Sequence, residues 1–187
     1  MREIEVKIRI ENADEARREL GKAGAVAMTP RYFEDNRVYD DVSESLKSRE
    51  RLLRLRTVGE HHVLTFKTPP VEEGEPARYK VRLEHETRIG DPAVIDSILT
   101  ALGYRTTYRY QKFRQRYRMD DVIVELDETP IGVFIELEGP PAAIDAAASR
   151  LGFGSADYIT KTYRTLHVET AGSDPPGDMV FSPEPES

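Results

Sequence analysis

Two glutamate pairs in this chain are spaced for chemistry. Glu3 and Glu5 lie in the run Glu3-Ile4-Glu5-Val6-Lys7, and Glu136 and Glu138 flank Leu137. On an extended backbone, residues two apart project to the same side, so each pair aims two carboxylates at one place. Paired carboxylates offer hard oxygen donors to a divalent cation, or a base for proton transfer. Basic residues recur with the same spacing in Arg54/Arg56, Arg78/Lys80/Arg82 and Lys112/Arg114/Arg116/Arg118, with Lys67 following Phe66. Rows of this kind can clamp phosphate oxygens. His61, His62, His85 and His167 show no metal-ligand spacing, and the chain has no cysteine. Thiolate zinc sites, disulfides and cysteine nucleophiles are therefore excluded.

Strands must position these side chains. Over residues 2–11, Glu3, Glu5, Lys7 and Arg9 alternate with Ile4, Val6, Ile8 and Ile10, the period-two pattern of a strand. Asn12 then caps a helix, with Glu15 placed for a reciprocal bond, that stops at Gly24. Strand-like segments follow at 25–40, 50–58 and 61–68, with a tight hairpin predicted at Gly59-Glu60. Residues 69–76 read as a loop. A long strand over 77–89 carries Arg78, Lys80, Arg82, Glu84, Glu86 and Arg88 on one face. Asp91-Pro92 opens a second helix that ends at Gly103. Strands at 104–119, 122–128 and 133–139 are joined by Asp120-Asp121 and Pro130-Ile131-Gly132. An Ala-rich helix covers 140–151 and a short one 157–167. Strand, helix, strand and hairpin occur in that order twice, a weak internal duplication.

The chain has 187 residues, 39% apolar and 33% charged, with a formal charge of -7. That length suits one domain over 1–168, followed by a tail at 169–187 whose prolines and scarce apolar residues predict disorder. In an open sheet, every charged strand face would meet water, where rows such as Lys112, Arg114, Arg116 and Arg118 gain nothing from one another. Closing the sheet instead turns apolar faces outward beneath helices and gathers the charges around a hollow. The expected fold is α+β, an eight-stranded antiparallel closed barrel with a charged interior and helices packed outside. Basic lining candidates outnumber acidic ones, so the hollow is positive inside an acidic protein. A polyanion with divalent cations offsets both kinds of buried charge, and triphosphate with Mg2+ or Mn2+ is the simplest such guest. No apolar run approaches the ~18 residues of a membrane span, and no signal-peptide core is present, so a cytoplasmic protein without membrane partners is expected. Net acidity disfavours nucleic acid. Outward apolar strand faces permit a homodimer.

The combination of Glu3-Ile4-Glu5-Val6-Lys7 with Arg54-Leu55-Arg56, Phe66-Lys67, Arg82-Leu83-Glu84, Lys112-Phe113-Arg114, Glu125-Leu126-Asp127 and Glu136-Leu137-Glu138 resembles the CYTH family of triphosphate tunnel metalloenzymes. That family includes class IV adenylate cyclases, thiamine-triphosphatases and inorganic triphosphatases, and the resemblance covers about residues 1–167. It implies the same eight-stranded barrel around a charged tunnel. It also implies that Glu3, Glu5, Glu136 and Glu138, with Asp127, hold the metal ions. Lys7, Arg54, Arg56, Lys67, Lys112 and Arg114 would clamp phosphate, Arg82 and Glu84 would line the tunnel, and Lys161 would stand near a C-terminal lid helix. Catalysis would fall to Glu5, Glu136, Glu138 and Lys7. Tyr32, Phe33 and Tyr39 are placed either to stack on an organic group at a tunnel mouth or simply to pack. The layout is most similar to the class IV cyclase-like branch, yet no motif reads adenine. Triphosphate hydrolysis is the preferred reading and cyclisation of ATP the alternative. A non-catalytic polyphosphate-binding module would need the clamp but not the carboxylate pairs.

Overall fold

Alternation and β-branched residues make Arg2–Ile10 the first strand, β1. The computed structural model describes residues 1–70, 78–172 and 177–182. After β1 come α1 (Ala13–Lys22), β2 (Val26–Ala27), β3 (Tyr32–Asp40), α2 (Ser45–Ser48), β4 (Leu52–Val58) and β5 (His61–Thr68). They are followed by β6 (Lys80–Ile89), α3 (Pro92–Ala101), β7 (Arg105–Met119), β8 (Val122–Thr129), β9 (Gly132–Glu138) and α4 (Pro141–Arg150). A 3-10 turn at Ser155–Asp157 and α5 (Tyr163–Ala171) complete the order.

The strands pair in the order β7-β3-β4-β5-β6-β1-β9-β8, and β8 pairs back onto β7. Every one of these pairings is antiparallel, so the ring is a closed eight-stranded barrel, with β2 adding a short segment to the edge of β7. Register sets the interior. Glu5 lies opposite Glu138 and Lys7 opposite Glu136 across β1 and β9, while Glu3 lies opposite Arg82 across β1 and β6.

The main apolar core sits outside the barrel wall. Val6 and Ile8 of β1, Leu126 of β8, and Ile135 and Leu137 of β9 are buried with Leu20 of α1 and Ile144, Ala147 and Ala148 of α4. On another side Leu99 of α3 covers Tyr39 and Leu55. The helices begin where side chains replace missing backbone partners: Asn12 accepts from the Asp14 and Glu15 amides, and Asp91 from those of Ala93 and Val94.

Three boundaries differ from expectation. The segment 25–40 splits into β2 and β3 around Pro30, which has no amide to give a ladder. The helix α2 is unforeseen. It is too short to show periodicity and is held by carboxylates, Asp40 accepting from the Leu46 and Lys47 amides at 2.9 Å each. The last helix starts at Tyr163, where the Thr162 hydroxyl caps it, and runs on to Ala171, into the stretch expected to be disordered. Beyond it, Met179 is buried and pairs with Tyr110. Residues 71–77 of the expected loop and strand, and 173–176 and 183–187 of the expected tail, lie outside the described residues. Among the described residues no helix is long and apolar enough to cross a membrane.

Candidate active site in the barrel cavity

The inward strand faces enclose a cavity of about 500 Å³. Glu3, Glu5 and Lys7 reach it from β1, Arg54 and Arg56 from β4, and Lys67 from β5. Lys80, Arg82, Glu84 and Glu86 enter from β6, Lys112, Arg114 and Arg116 from β7, Glu125 from β8, and Glu136 and Glu138 from β9. Lysine and arginine outnumber aspartate and glutamate around this space, the reverse of the whole chain. Alternation alone achieves this, since the neighbours of these residues point into the outer core.

The charges neutralise one another in a lattice. Lys67 Nζ donates to both Glu3 oxygens, at 2.7 and 2.6 Å. Glu5 Oε1 accepts from Lys7 at 3.0 Å and from Lys80 at 2.6 Å. Lys7 also lies 3.1 Å from Glu136, and Arg114 lies 2.8 Å from it. Glu125 pairs with Arg114 and, at 3.0 Å, with Arg116. Burial pushes the Glu5 carboxyl up, but Lys7 and Lys80 outweigh it and hold the group well below the usual carboxylate range. Glu136 is held down in the same way by Lys7, Lys112 and Arg114. Lys7, between the two, is raised despite its burial.

Glu138 is the exception. It has no ion pair among the described residues, and burial together with Glu3, Glu125 and Glu5 pushes it up to about 7. Glu138 thus stands without a cationic partner beside Glu3, Glu5 and Glu125, each of which is paired with lysine or arginine. Among the described residues, no three carboxylates or histidines are gathered at ligand distances. The donor chemistry nonetheless fits a hard divalent cation, because Glu3, Glu5, Glu136 and Glu138 all present carboxylate oxygens to one cavity.

Two expected site residues stand apart from the cavity. Asp127 is fully buried beneath the lining residues, and its oxygens accept from Arg114 Nε and Nη2 at 2.6 Å each, Lys112 Nζ at 2.9 Å and the Tyr163 hydroxyl at 2.7 Å. With these partners the Asp127 carboxylate anchors Lys112 and Arg114 of the clamp. Lys161 lies on the surface in a 2.6 Å pair with Glu169, away from the cavity. Of the three aromatic candidates, Tyr32 and Tyr39 line the cavity. Phe33 packs outside on Phe113, and Tyr39 donates to Asp96 beneath α3.

Sequence reasoning missed several participants. The Tyr163 ring lies under the Lys7 and Lys112 ammonium groups, at 5.3 and 5.2 Å. Tyr110 lines the cavity and accepts from Arg54 Nη1 at 3.2 Å. Glu34 is completely buried 3.7 Å from both Lys112 and Arg56, and neither of its oxygens has a hydrogen bond within the described chain. Burial raises it, yet Lys112 and Arg56 hold it well below the usual range. The sequence signal for Glu34 is its i, i+2 relation to Asn36 in β3, both of them fully buried.

A family profile described as the CYTH domain matches residues 1–163. The chain is 25% identical over 139 residues to a protein of Methanocaldococcus jannaschii named "putative adenylate cyclase", covering 74% of this chain and 77% of that one. A "putative adenylate cyclase" structure from Vibrio parahaemolyticus aligns with a TM-score of 0.74 at 19% identity, over 88% of this chain and 96% of that one. A "putative adenylyl cyclase" from Hippeastrum, described as having a dominant triphosphatase activity, aligns with a TM-score of 0.61 at 20% identity, over 91% and 96%. At such identities the structural likenesses establish the fold.

Proposed function

This chain belongs to the CYTH domain family, and from that premise we propose that it is a divalent-metal-dependent hydrolase of a triphosphate compound held in the barrel cavity. The substrate class comprises inorganic triphosphate, thiamine triphosphate and nucleoside triphosphates. One observation carries the reading: a cationic hollow inside an acidic protein, into which both carboxylate pairs, Glu3/Glu5 and Glu136/Glu138, project.

Arg54, Arg56, Lys67, Arg82, Lys112 and Arg114 would take the phosphate oxygens, with Lys7 fixed between Glu5 and Glu136 as a permanent positive charge. Binding exchanges partners. As phosphate claims Lys67 and Lys80, the carboxylates they now occupy are released, and Glu3, Glu5, Glu136 and Glu138 would hold Mg2+ or Mn2+. When bound, such an ion supplies charge neutralisation during in-line displacement and acidifies water. The carboxylates on this wall, Glu138 among them, would also be placed to accept the proton of an attacking water. Catalysis is mainly positioning and electrostatics, consistent with a lining that relies on charge rather than on a Ser/His/Asp set.

The cyclase names of the relatives favour a second reading, in which the ribose 3′-hydroxyl of ATP attacks the α-phosphorus and pyrophosphate leaves. A substrate panel separates them. Inorganic triphosphate, thiamine triphosphate and ATP are incubated with Mg2+ or Mn2+, and orthophosphate is scored against pyrophosphate plus cyclic nucleotide. Hydrolysis predicts orthophosphate, lost on chelation. Pyrophosphate with cyclic AMP would replace it by cyclisation, and binding without turnover would leave a polyphosphate-binding module. Glu138→Gln is expected to abolish turnover in a folded barrel, checked by circular dichroism; full activity would remove Glu138 from the site.

A further inference from the structure

β7 overruns its neighbour. It pairs with β8 only from Phe113 onward, so Arg105–Lys112 would leave one backbone edge open. A segment C-terminal to the family match fills that edge. The Met179 amide donates to Arg109 O, and the Gln111 amide to Met179 O, at 2.9 Å each, bracketing Tyr110 in a parallel bridge. Asp178 accepts from the Arg109 amide at 2.8 Å, and the Phe181 amide donates to Gln111 Oε1 at 3.1 Å. The Phe181 ring lies 5.3 Å from that of Phe113. Met179 is 1% exposed, packed in one cluster with Tyr108, Tyr110 and Tyr163.

Tyr110 projects from this bracketed position into the cavity, where its hydroxyl receives Arg54 Nη1. Beyond Tyr110, the other partners of Arg54 are weaker, with Glu84 4.0 Å away. Thr65 accepts from Nη2 at 3.3 Å, Glu86 is 3.7 Å away, and Nε has no hydrogen bond within the described chain. We propose that Asp178–Phe181 is a strap that positions the site, with Met179 fixing Tyr110 so that Tyr110 aims the Arg54 guanidinium at bound triphosphate. This rests on the triphosphate reading and extends it to a segment C-terminal to the family match.

The test uses full-length variants, with inorganic triphosphate as the probe in calorimetry and in steady-state turnover with Mg2+. Met179→Ala should weaken triphosphate affinity and raise KM about tenfold, the scale of one charge-assisted hydrogen bond lost, with kcat changed less than about twofold. Met179→Leu, which refills the space, should restore affinity. Tyr110→Phe should match Met179→Ala, and the double variant should bind no more weakly than Tyr110→Phe alone. Should Met179→Ala not fold, Asp178→Ala, which removes one bond to the Arg109 amide, is read by the same criteria. A lowered melting temperature with unaltered affinity would make the strap merely structural and overturn the proposal. Fully additive losses would overturn the route through Tyr110. If the unmodified chain binds no triphosphate, the hydrolase reading falls and takes this one with it.

Discussion

Asp127 and Glu138 carry the same functional group in the same barrel, and their partners give them opposite characters. Asp127 is saturated by Arg114, Lys112 and Tyr163, whereas Glu138 faces other carboxylates. Asp127→Asn should therefore cost about 3–5 kcal/mol in urea unfolding, as expected when one member of a buried charge network is lost; an unchanged midpoint would show that Asp127 is no anchor. Arg56→Ala, by contrast, should weaken triphosphate binding more than monophosphate binding, and equal losses would remove Arg56 from a multi-phosphate clamp. Spacing along the chain told which face each carboxylate occupies. It could not tell which one is already taken, because the hydroxyl that completes Asp127 comes from Tyr163, on a helix remote in sequence.

Elements were legible in proportion to their periodicity. β1, β6 and β7 through β9 follow directly from alternation, and Asn12 and Asp91 mark two helix starts. The helix α2 and the Met179 strap carry no periodic signal: one is held by the side chain of Asp40, the other by a backbone pairing across distant sequence. The joint between β9 and α4 yields a test at this scale. A Cβ on Gly139 would come within 2.8 Å of the Asp121 carbonyl oxygen, which is backbone and cannot rotate aside. Gly139→Ala should thus cost about 1–3 kcal/mol through overpacking, measured as a drop in unfolding free energy with β9 residues shifted. Wild-type stability would mean that the β7–β8 turn yields freely.

For the molecule as a whole, charge of one sign inside and the other outside governs response to solution conditions. Glu34 and Asp35 are held below the usual range by Lys112 and Arg109 respectively, despite burial that pushes the other way. Once the pH falls towards their unfolded values near ~4, the unfolded chain takes up protons the folded one refuses. The stability these groups contribute is present above that range and lost below it. The melting temperature should accordingly fall between pH 5 and pH 3, and Glu34→Gln should flatten that fall; an identical profile would exclude Glu34 as a contributor. The ring itself constrains biosynthesis. β1 meets β6 from Arg2 to Glu5, but Val6 to Ile10 find their strand partners only in β9, from Leu137 to Val133, so the N-terminal strand stays half-paired while most of the polypeptide is still being translated. Maturation is then governed by long-range loop closure, slow and exposed to aggregation, and nascent chains arrested before β9 should be protease-sensitive throughout.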